Sequence, residues 1–144
     1  MKTIYLTSSL NANYKIFENG EEVKKVCKID NSYHIVDCLK EDIKGLLNFV
    51  MICSNPTNNG LNDMYANLIK QSFVLSGFTF QSFVCIDDRN CNEIESYIKN
   101  ANFVYLCGGH VPTENAFFNE INLKDLLEDF DGIIMGQSAG SMNM

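Results

Sequence analysis

The sequence lacks a hydrophobic run long enough to cross a lipid bilayer, which needs roughly 18 consecutive apolar residues. Its N-terminal apolar stretch is too short for the core of a secretion signal. No CxxC pair or other zinc-like cluster occurs among the six cysteines, and no GxxxxGK[ST] phosphate loop is present. These absences predict a cytoplasmic protein with free thiols, no metal and no cofactor.

Positive charge is also scarce, and the net charge is −7. Phosphates would be repelled, so neither nucleic acid nor an anionic membrane surface is expected as a partner. The 144 residues are 46% hydrophobic, enough for one sizeable core, and no internal repeat or linker divides them. We therefore expect a single domain over residues 1–144.

Five short runs rich in β-branched and aromatic residues predict strands, the last four of them buried on both faces. They are Thr3–Thr7, Phe49–Cys53, Phe78–Ile86, Phe103–Cys107 and Gly132–Met135. Helical spacing predicts helices over 61–75, from a cap at Asn90, over 123–130 and around Leu39–Leu47, with a separate turn at Thr113–Asn119. A hairpin of Val23–Ile29 with Tyr33–Val36 is expected between the first two runs.

Alternating strands and helices are typical of a parallel sheet covered on both faces. Right-handed crossovers then favour an α/β, doubly wound, flavodoxin-like and mostly parallel sheet. In such sheets ligands bind beyond the carboxyl ends of the strands. Small and polar residues follow all five predicted strands: Ser8-Ser9, Ser54-Asn55-Pro56, Asp87-Asp88-Arg89, Gly108-Gly109-His110 and Gln137-Ser138-Ala139.

The segment GQSAG places Ser138 between Gly136 and Gly140, directly after a predicted buried strand. A nucleophile elbow needs this setting, since a sharp strand-to-helix turn lifts the serine hydroxyl above the sheet edge. A plain glycine-rich turn without chemistry is the alternative. Gly108-Gly109 ends the preceding strand, and its backbone N–H groups could form an oxyanion hole, although a simple turn would also use this pair.

The stretches YLCGGHVPTENAFF and DGIIMGQSAGSMNM resemble the peptidase E and cyanophycinase family of serine peptidases. The resemblance implies a class I glutamine amidotransferase-like fold and hydrolysis of small peptides through an acyl-enzyme, with peptides that have an acidic N-terminal residue among the substrates. It implies Ser138 as the nucleophile, and Gly109 and Ala139 as donors of the oxyanion hole. Gly136, Gly140 and Gly108 shape the elbow and loop, while His110, Gln137 and Asn55 are expected to line the site.

The chain departs from that family in one respect. Relatives carry their histidine base, its acidic partner and a substrate-binding arginine after the elbow, so this sequence resembles their N-terminal part and is expected to be C-terminally incomplete and nearly inactive alone. Its two histidines, His34 and His110, are not expected to act as the base. Apolar surface or an open strand edge is expected, with self-association through it.

Two other functions stay open from the sequence. One is a non-catalytic binding or assembly module of the same fold. The other is a glutaminase-like amidotransferase domain, which the serine at the elbow disfavours because a thiolate is the nucleophile of that reaction.

Overall fold

The apolar runs form strands in the computed structural model, which describes residues 2–11, 13–138 and 140, without the side chains of residues 13–15. The strands are β1 (Lys2–Thr7), β2 (Asn13–Glu18), β3 (Glu21–Val26), β4 (Leu47–Ile52), β5 (Phe80–Ile86), β6 (Phe103–Leu106) and β7 (Gly132–Gln137). The helices are α1 (Ile35–Asp42), α2 (Asn59–Leu75), α3 (Ile94–Asn100), α4 (Val111–Glu120) and α5 (Leu123–Glu128), with a 3-10 turn at Cys91–Glu93.

Five strands form one sheet in the order β1-β7-β6-β4-β5, and all four pairings are parallel. Read from the other edge, the order is β5-β4-β6-β7-β1. This is the flavodoxin-like order 2-1-3-4-5 if β4 is counted as its first strand, and β1 then takes the place of its fifth strand. The predicted α/β, doubly wound fold is confirmed. Phe49 of β4 is in register with Phe103 of β6, which pairs in turn with Ile133 of β7.

Each face of the sheet has its own apolar core. On one face Leu39 of α1 and Phe73 of α2 pack over Phe49, whose ring stacks on Phe103 with centroids 4.7 Å apart. On the other face Ile98 of α3, Phe117 of α4 and Leu123 of α5 cover the alternate residues of the strands. Since the inner strands bury both faces, apolar side chains follow one another along them without alternation.

After β5 the chain reverses its direction across the sheet. Helix α2 crosses to β5 on one face, and α3 then returns to β6 on the other face. The carboxyl ends of β4 and β6 therefore flank a topological switch point, where sheets of this kind open a crevice for ligands. The segments that carry Ser54 and Gly108 leave the sheet at this point.

The predicted hairpin is wrong. The strands that pair are β2 and β3, which join at Asn19-Gly20, where both residues have positive φ (54° and 79°). That turn matches the twist of a two-stranded ribbon, so the chain reverses there rather than at the second turn signal. His34, with φ 62°, precedes the first turn of α1 instead of lying in a strand.

Three helix predictions also need correction. Helix α1 ends at Asp42, before the predicted 39–47 range closes, because Leu47 already begins β4. Residues of the predicted turn at 113–119 lie inside the ten-residue α4. Asn90 caps no helix with its side chain, which instead accepts from the Asp87 N–H and donates to the Cys85 carbonyl, closing the turn after β5.

Helix α2 has its predicted position but a different buried face. The periodicity predicts Leu61, Met64 and Tyr65 in the core, yet each is more than a third exposed. The buried side chains of the helix are Asn62, Leu68, Ile69, Ser72 and Phe73. The first turns of α2 therefore leave their apolar side chains partly exposed.

The two edge strands of the five-stranded sheet, β1 and β5, have many partly exposed side chains. β5 is only partly buried, so the prediction that it is covered on both faces is wrong. On β1, Ile4 and Leu6 are 55% and 65% exposed, on a strand whose outer edge pairs with no other described strand. An edge strand has one neighbour instead of two, which leaves side chains without packing partners.

None of the described helices is both long and apolar enough to cross a membrane. Across residues 2–11, 13–138 and 140, no three His, Cys, Asp or Glu side chains are grouped as a metal site would need.

Candidate active site at the carboxyl edge of the sheet

Ser138 occupies a strained position directly after β7. Its φ is 51°, in the left-handed region that serine seldom adopts, and Gly140 is already helical two residues later. A left-handed L-residue costs roughly 1–2 kcal/mol and persists only where neighbouring contacts enforce it. The sharp strand-to-helix turn that the GxSxG pattern predicts is therefore present, with the serine exposed at its tip.

A hydrogen bond from β1 holds this turn in place. The backbone N–H of Ser138 donates to the carbonyl oxygen of Thr7 at 2.7 Å, extending the parallel pairing of β1 and β7 by one residue. The first strand of the chain thus anchors the turn that carries the serine. The N–H of Ser138 is consumed by this bond, so an oxyanion would need other donors.

The diglycine loop after β6 lies against the turn. A Cβ on Gly108 would lie 3.1 Å from both the Cβ of Ser138 and the carbonyl oxygen of Gln137. A Cβ on Gly140 would lie 2.9 Å from the carbonyl oxygen of Cys107, and closer still to that of Leu106. The predicted neighbourhood of the two glycine motifs is confirmed. At Gly140 a side chain would collide with backbone atoms, whereas at Gly108 the fit would be tight.

Gly109 makes a second close approach, to the segment that follows β4. A Cβ at this position would collide with the side chain of Ser54, 2.7 Å from its Cβ. The ends of β4, β6 and β7 are thereby brought together around one point. Ala139, the second predicted donor of the oxyanion hole, lies outside the described residues.

A cavity of about 520 Å³ opens beside Ser138. Its polar wall consists of hydroxyl, phenol and carboxamide side chains: Ser8, Ser9, Asn11, Ser54, Asn62, Tyr65, Gln137 and Ser138. Its apolar part includes Leu10, Met51 and Leu68, with Cys53 and Cys107 at the strand ends. This volume accommodates a ligand of dipeptide size, and the mixed lining is typical of small-molecule sites.

Gln137 and Tyr105 form one hydrogen-bonded unit in the cavity wall. The Tyr105 hydroxyl donates to Oε1 of Gln137, and the tyrosine side chain is buried between the sheet and the helices. Burial raises the pKa of Tyr105 well above its ordinary value of 10.0, so it stays a neutral donor. A carboxamide oxygen has two lone pairs, so Gln137 keeps one acceptor position on Oε1 in addition to the donors of its N–H₂ group.

The two histidines are both turned to neighbours on their own segments. Nδ1 of His110 lies 2.8 Å from Oγ1 of Thr113 at the start of α4, and Nδ1 of His34 lies 3.2 Å from Asp37. Neither lines the cavity described above. Asn55 also lies outside the lining, where its backbone carbonyl accepts from Nδ2 of Asn62 and its Oδ1 from Thr57. The described residues place no general base next to Ser138.

Behind the cavity, at the end of β5, lies a buried carboxylate. Asp87 is fully buried, and the Arg89 guanidinium donates to it at 2.6 Å while also binding Asp63. Burial alone would raise the pKa of Asp87, but hydrogen bonds and charge from Arg89, with one bond from Asn62, outweigh it and hold that pKa below 3.8. The acid remains ionised and fixes Asn62 in the wall.

Three thiols at the strand ends stay protonated and are therefore poor nucleophiles. Burial raises the pKa of Cys85 to about 12, and raises those of Cys53 and Cys107 far above 9.0. All six cysteines are free. A nucleophilic cysteine needs a lowered pKa, so the thiols that border the cavity are packing residues rather than reactive groups.

Sequence reasoning placed Ser8-Ser9 at this edge of the sheet but missed Asn11 and the wall contributed by α2. Tyr65 was assigned to the apolar stripe of the helix, and nothing in the sequence singled out Asn62 or Asn11. One signal was present: the first turn of a helix that follows a parallel strand begins at the carboxyl edge of the sheet. Polar side chains in such a turn are candidates for ligand contact.

Comparisons with known proteins support the fold. No family model matches the chain, and no curated protein matches its sequence. A solved structure at 1.5 Å, "Crystal Structure of a Putative Peptidase E Protein from Listeria monocytogenes EGD-e", superposes with a TM-score of 0.56 at 17% identity. The match covers 97% of this chain and 60% of that chain. The chain therefore spans about 60% of the length of this structural neighbour and shares a peptidase E-like α/β fold with it.

Proposed function

We propose that the chain carries the nucleophile half of a serine hydrolase that cleaves small peptides, with Ser138 as the attacking residue. The observation that carries the proposal is the left-handed Ser138, exposed above the carboxyl edge of the sheet and touching the Gly108 loop. The likeness of the fold to a protein described as a peptidase E agrees with it. Strained serines between a strand and a helix are a recurrent device of acyl transfer.

In the proposed reaction, Oγ of Ser138 bonds to the scissile carbonyl carbon and its proton passes to a base. The C–N bond then breaks as that proton moves to the leaving amine, and water hydrolyses the resulting ester. Backbone N–H groups of the Gly108-Gly109 loop and Ala139 are the proposed donors to the oxyanion. Neither histidine lines the cavity, so the proposed base comes from outside the described residues.

A fluorophosphonate probe tests this proposal. Attack by Ser138 forms an O–P bond and releases fluoride, and mass spectrometry of the digested protein locates the label. We expect labelling of Ser138 that is abolished in Ser138→Ala and retained in Ser9→Ala, a control for the cavity wall. Serine hydrolases that lack a triad residue still accelerate hydrolysis about 10³–10⁴-fold over the reaction in water. We therefore expect the probe to label Ser138 slowly.

A non-catalytic binding module is the second candidate, and one observation favours it. The cavity is formed while neither histidine lines it, so a ligand could be held without turnover. Saturable binding of a dipeptide, with no labelling of Ser138, would select this alternative. The glutaminase-like amidotransferase reading has less support, since the thiols beside the cavity have raised pKa values.

A further inference from the structure

A second serine hydroxyl lies against the diglycine loop. Ser54 follows β4, is half-buried and lines the same cavity as Ser138. If Gly109 carried a Cβ, the nearest atom to it would be the Oγ of Ser54. This hydroxyl therefore packs against the Cα of Gly109, on the loop whose N–H groups are the proposed donors to the oxyanion. Within the described part of the chain it makes no hydrogen bond, so its proton is available to a ligand.

Hydrogen bonds fix the backbone on either side of this hydroxyl. The N–H of Cys107, directly before the diglycine loop, donates to the carbonyl of Ile52 at 3.1 Å, which pairs the end of β6 with the end of β4. After Ser54, the carbonyl of Asn55 accepts from Nδ2 of Asn62 at 2.9 Å. The segment that carries the hydroxyl is thus held in place before a ligand binds, as a donor to a developing charge needs to be.

The diglycine loop contacts both serines. Gly108 approaches the Cβ of Ser138, and the next residue, Gly109, approaches the side chain of Ser54. The N–H of Ser138 itself is bound to the carbonyl of Thr7. An oxyanion formed at Ser138 therefore takes its hydrogen bonds from other groups, and a hydroxyl beside the loop can donate to an oxygen about 2.7 Å away.

We propose that Ser54 is a further catalytic residue of this site, whose hydroxyl donates a hydrogen bond to the oxyanion. The inference rests on the proposed function, to which it adds a side-chain donor beside the backbone N–H groups of the loop. As Oγ of Ser138 bonds to the carbonyl carbon, the π electron pair moves onto the carbonyl oxygen and the Ser138 proton passes to the base. The O–H bond of Ser54 stays intact. Because the charge develops only during the reaction, this donor accelerates attack more than it tightens substrate binding.

A fluorophosphonate tests this role, because its phosphonyl oxygen takes the position of the oxyanion. We expect the probe to label Ser138 about a hundredfold more slowly in Ser54→Ala than in the parent chain, as for the loss of one oxyanion donor. The melting temperature should stay near that of the parent, since the hydroxyl has no hydrogen bond to lose among the described residues. Ser96→Ala, at an exposed position on α3, is the control and should be labelled at the parental rate.

Phosphorus NMR of the labelled protein separates a donor from a packing residue. A hydrogen bond to the phosphonyl oxygen changes the phosphorus chemical shift, so we expect a different shift in Ser54→Ala and the parental shift in Ser96→Ala. If Ser54→Ala melts lower than the parent, this shift decides the matter. Labelling of Ser54→Ala at the parental rate, or an unchanged shift, would overturn the inference and leave the proposed function standing. A parent chain without label on Ser138 would remove the proposed function and this role with it.

Discussion

Ser138 and Thr7 are joined by a hydrogen bond of 2.7 Å between the serine N–H and the threonine carbonyl, which ties the turn after β7 to the first strand of the chain. The bond matters because the serine holds a φ of 51° that its own side chain disfavours. The turn is thus imposed by the sheet, and the cost of that strain is measurable.

Replacing Ser138 with glycine should relieve the strain. We expect Ser138→Gly to be more stable than Ser138→Ala by about 1 kcal/mol, because glycine adopts positive φ without a Cβ penalty. Urea unfolding of the two variants measures the difference, and both lack the hydroxyl, so lost side-chain contacts cancel. Equal stabilities would contradict a left-handed residue at this position.

Gly140→Ala should push the turn away from β6. The new Cβ would lie 2.8 Å from the carbonyl carbon of Leu106 and 2.9 Å from the oxygen of Cys107, and backbone atoms of a central strand cannot yield. We expect a loss of about 1–3 kcal/mol of unfolding free energy, together with loss of probe labelling at Ser138. Gly60→Ala is the matched control, since nothing lies within 4 Å of its Cβ and alanine favours the helix.

The pair of Asp87 and Arg89 predicts a pH dependence of stability. The pKa of Asp87 in the folded chain is lower than its ordinary 3.8. The stability that the ionised carboxylate adds is therefore fully present above about pH 5, and it is lost as the pH falls through the lowered pKa. Asp87→Asn should cost about 2 kcal/mol at pH 7, the range for a hydrogen bond to a charged group. Denaturant unfolding at pH 7 and at pH 2.5 should show the difference between parent and variant shrinking. A difference that is unchanged at low pH would rule the ion pair out as its source.

The thiols predict a graded reactivity. Cys38 is exposed, whereas burial raises the pKa of Cys85 to about 12 and raises that of Cys53 further. Iodoacetamide at pH 8 should therefore modify Cys38 about a hundredfold faster than Cys53 and Cys85, as peptide mass spectrometry over time would show. In denaturant the three rates should converge. Fast modification of Cys53 in the folded protein would mean that the strand ends are open to solvent.

The exposed side of β1 predicts self-association. Ile4 is 55% exposed and borders a groove of about 410 Å³ against α4 and α5, and Leu6 is 65% exposed on the same face of the strand. We expect Ile4→Thr and Leu6→Thr to raise the monomer fraction in size-exclusion chromatography with light scattering. Val74→Thr, at a comparably exposed position (53%) on α2, is the control and should have no effect. A parent chain that is already monodisperse and monomeric would contradict this prediction.

The sequence by itself determined the strands of the sheet, the parallel α/β class and the turn at Ser138. These features are local: apolar β-branched runs bury on both faces, and the glycines on either side of Ser138 permit one sharp bend. The neighbourhood of Gly108 and Ser138 followed as well, since adjacent parallel strands end at the same edge.

Only the tertiary structure decided the chemistry of the cavity. The buried side of α2 differs from the one its periodicity predicts, so Asn62 and Tyr65 could not be assigned to the wall from the sequence. Arg89 is bound by Asp63, 26 residues away in the chain, and Nδ1 of His110 lies at hydrogen-bond distance from Thr113 rather than in the cavity lining. Packing brings several polar groups within reach of one another, and they compete for the same hydrogen-bond partners. The sequence pattern alone does not show which of these pairs form.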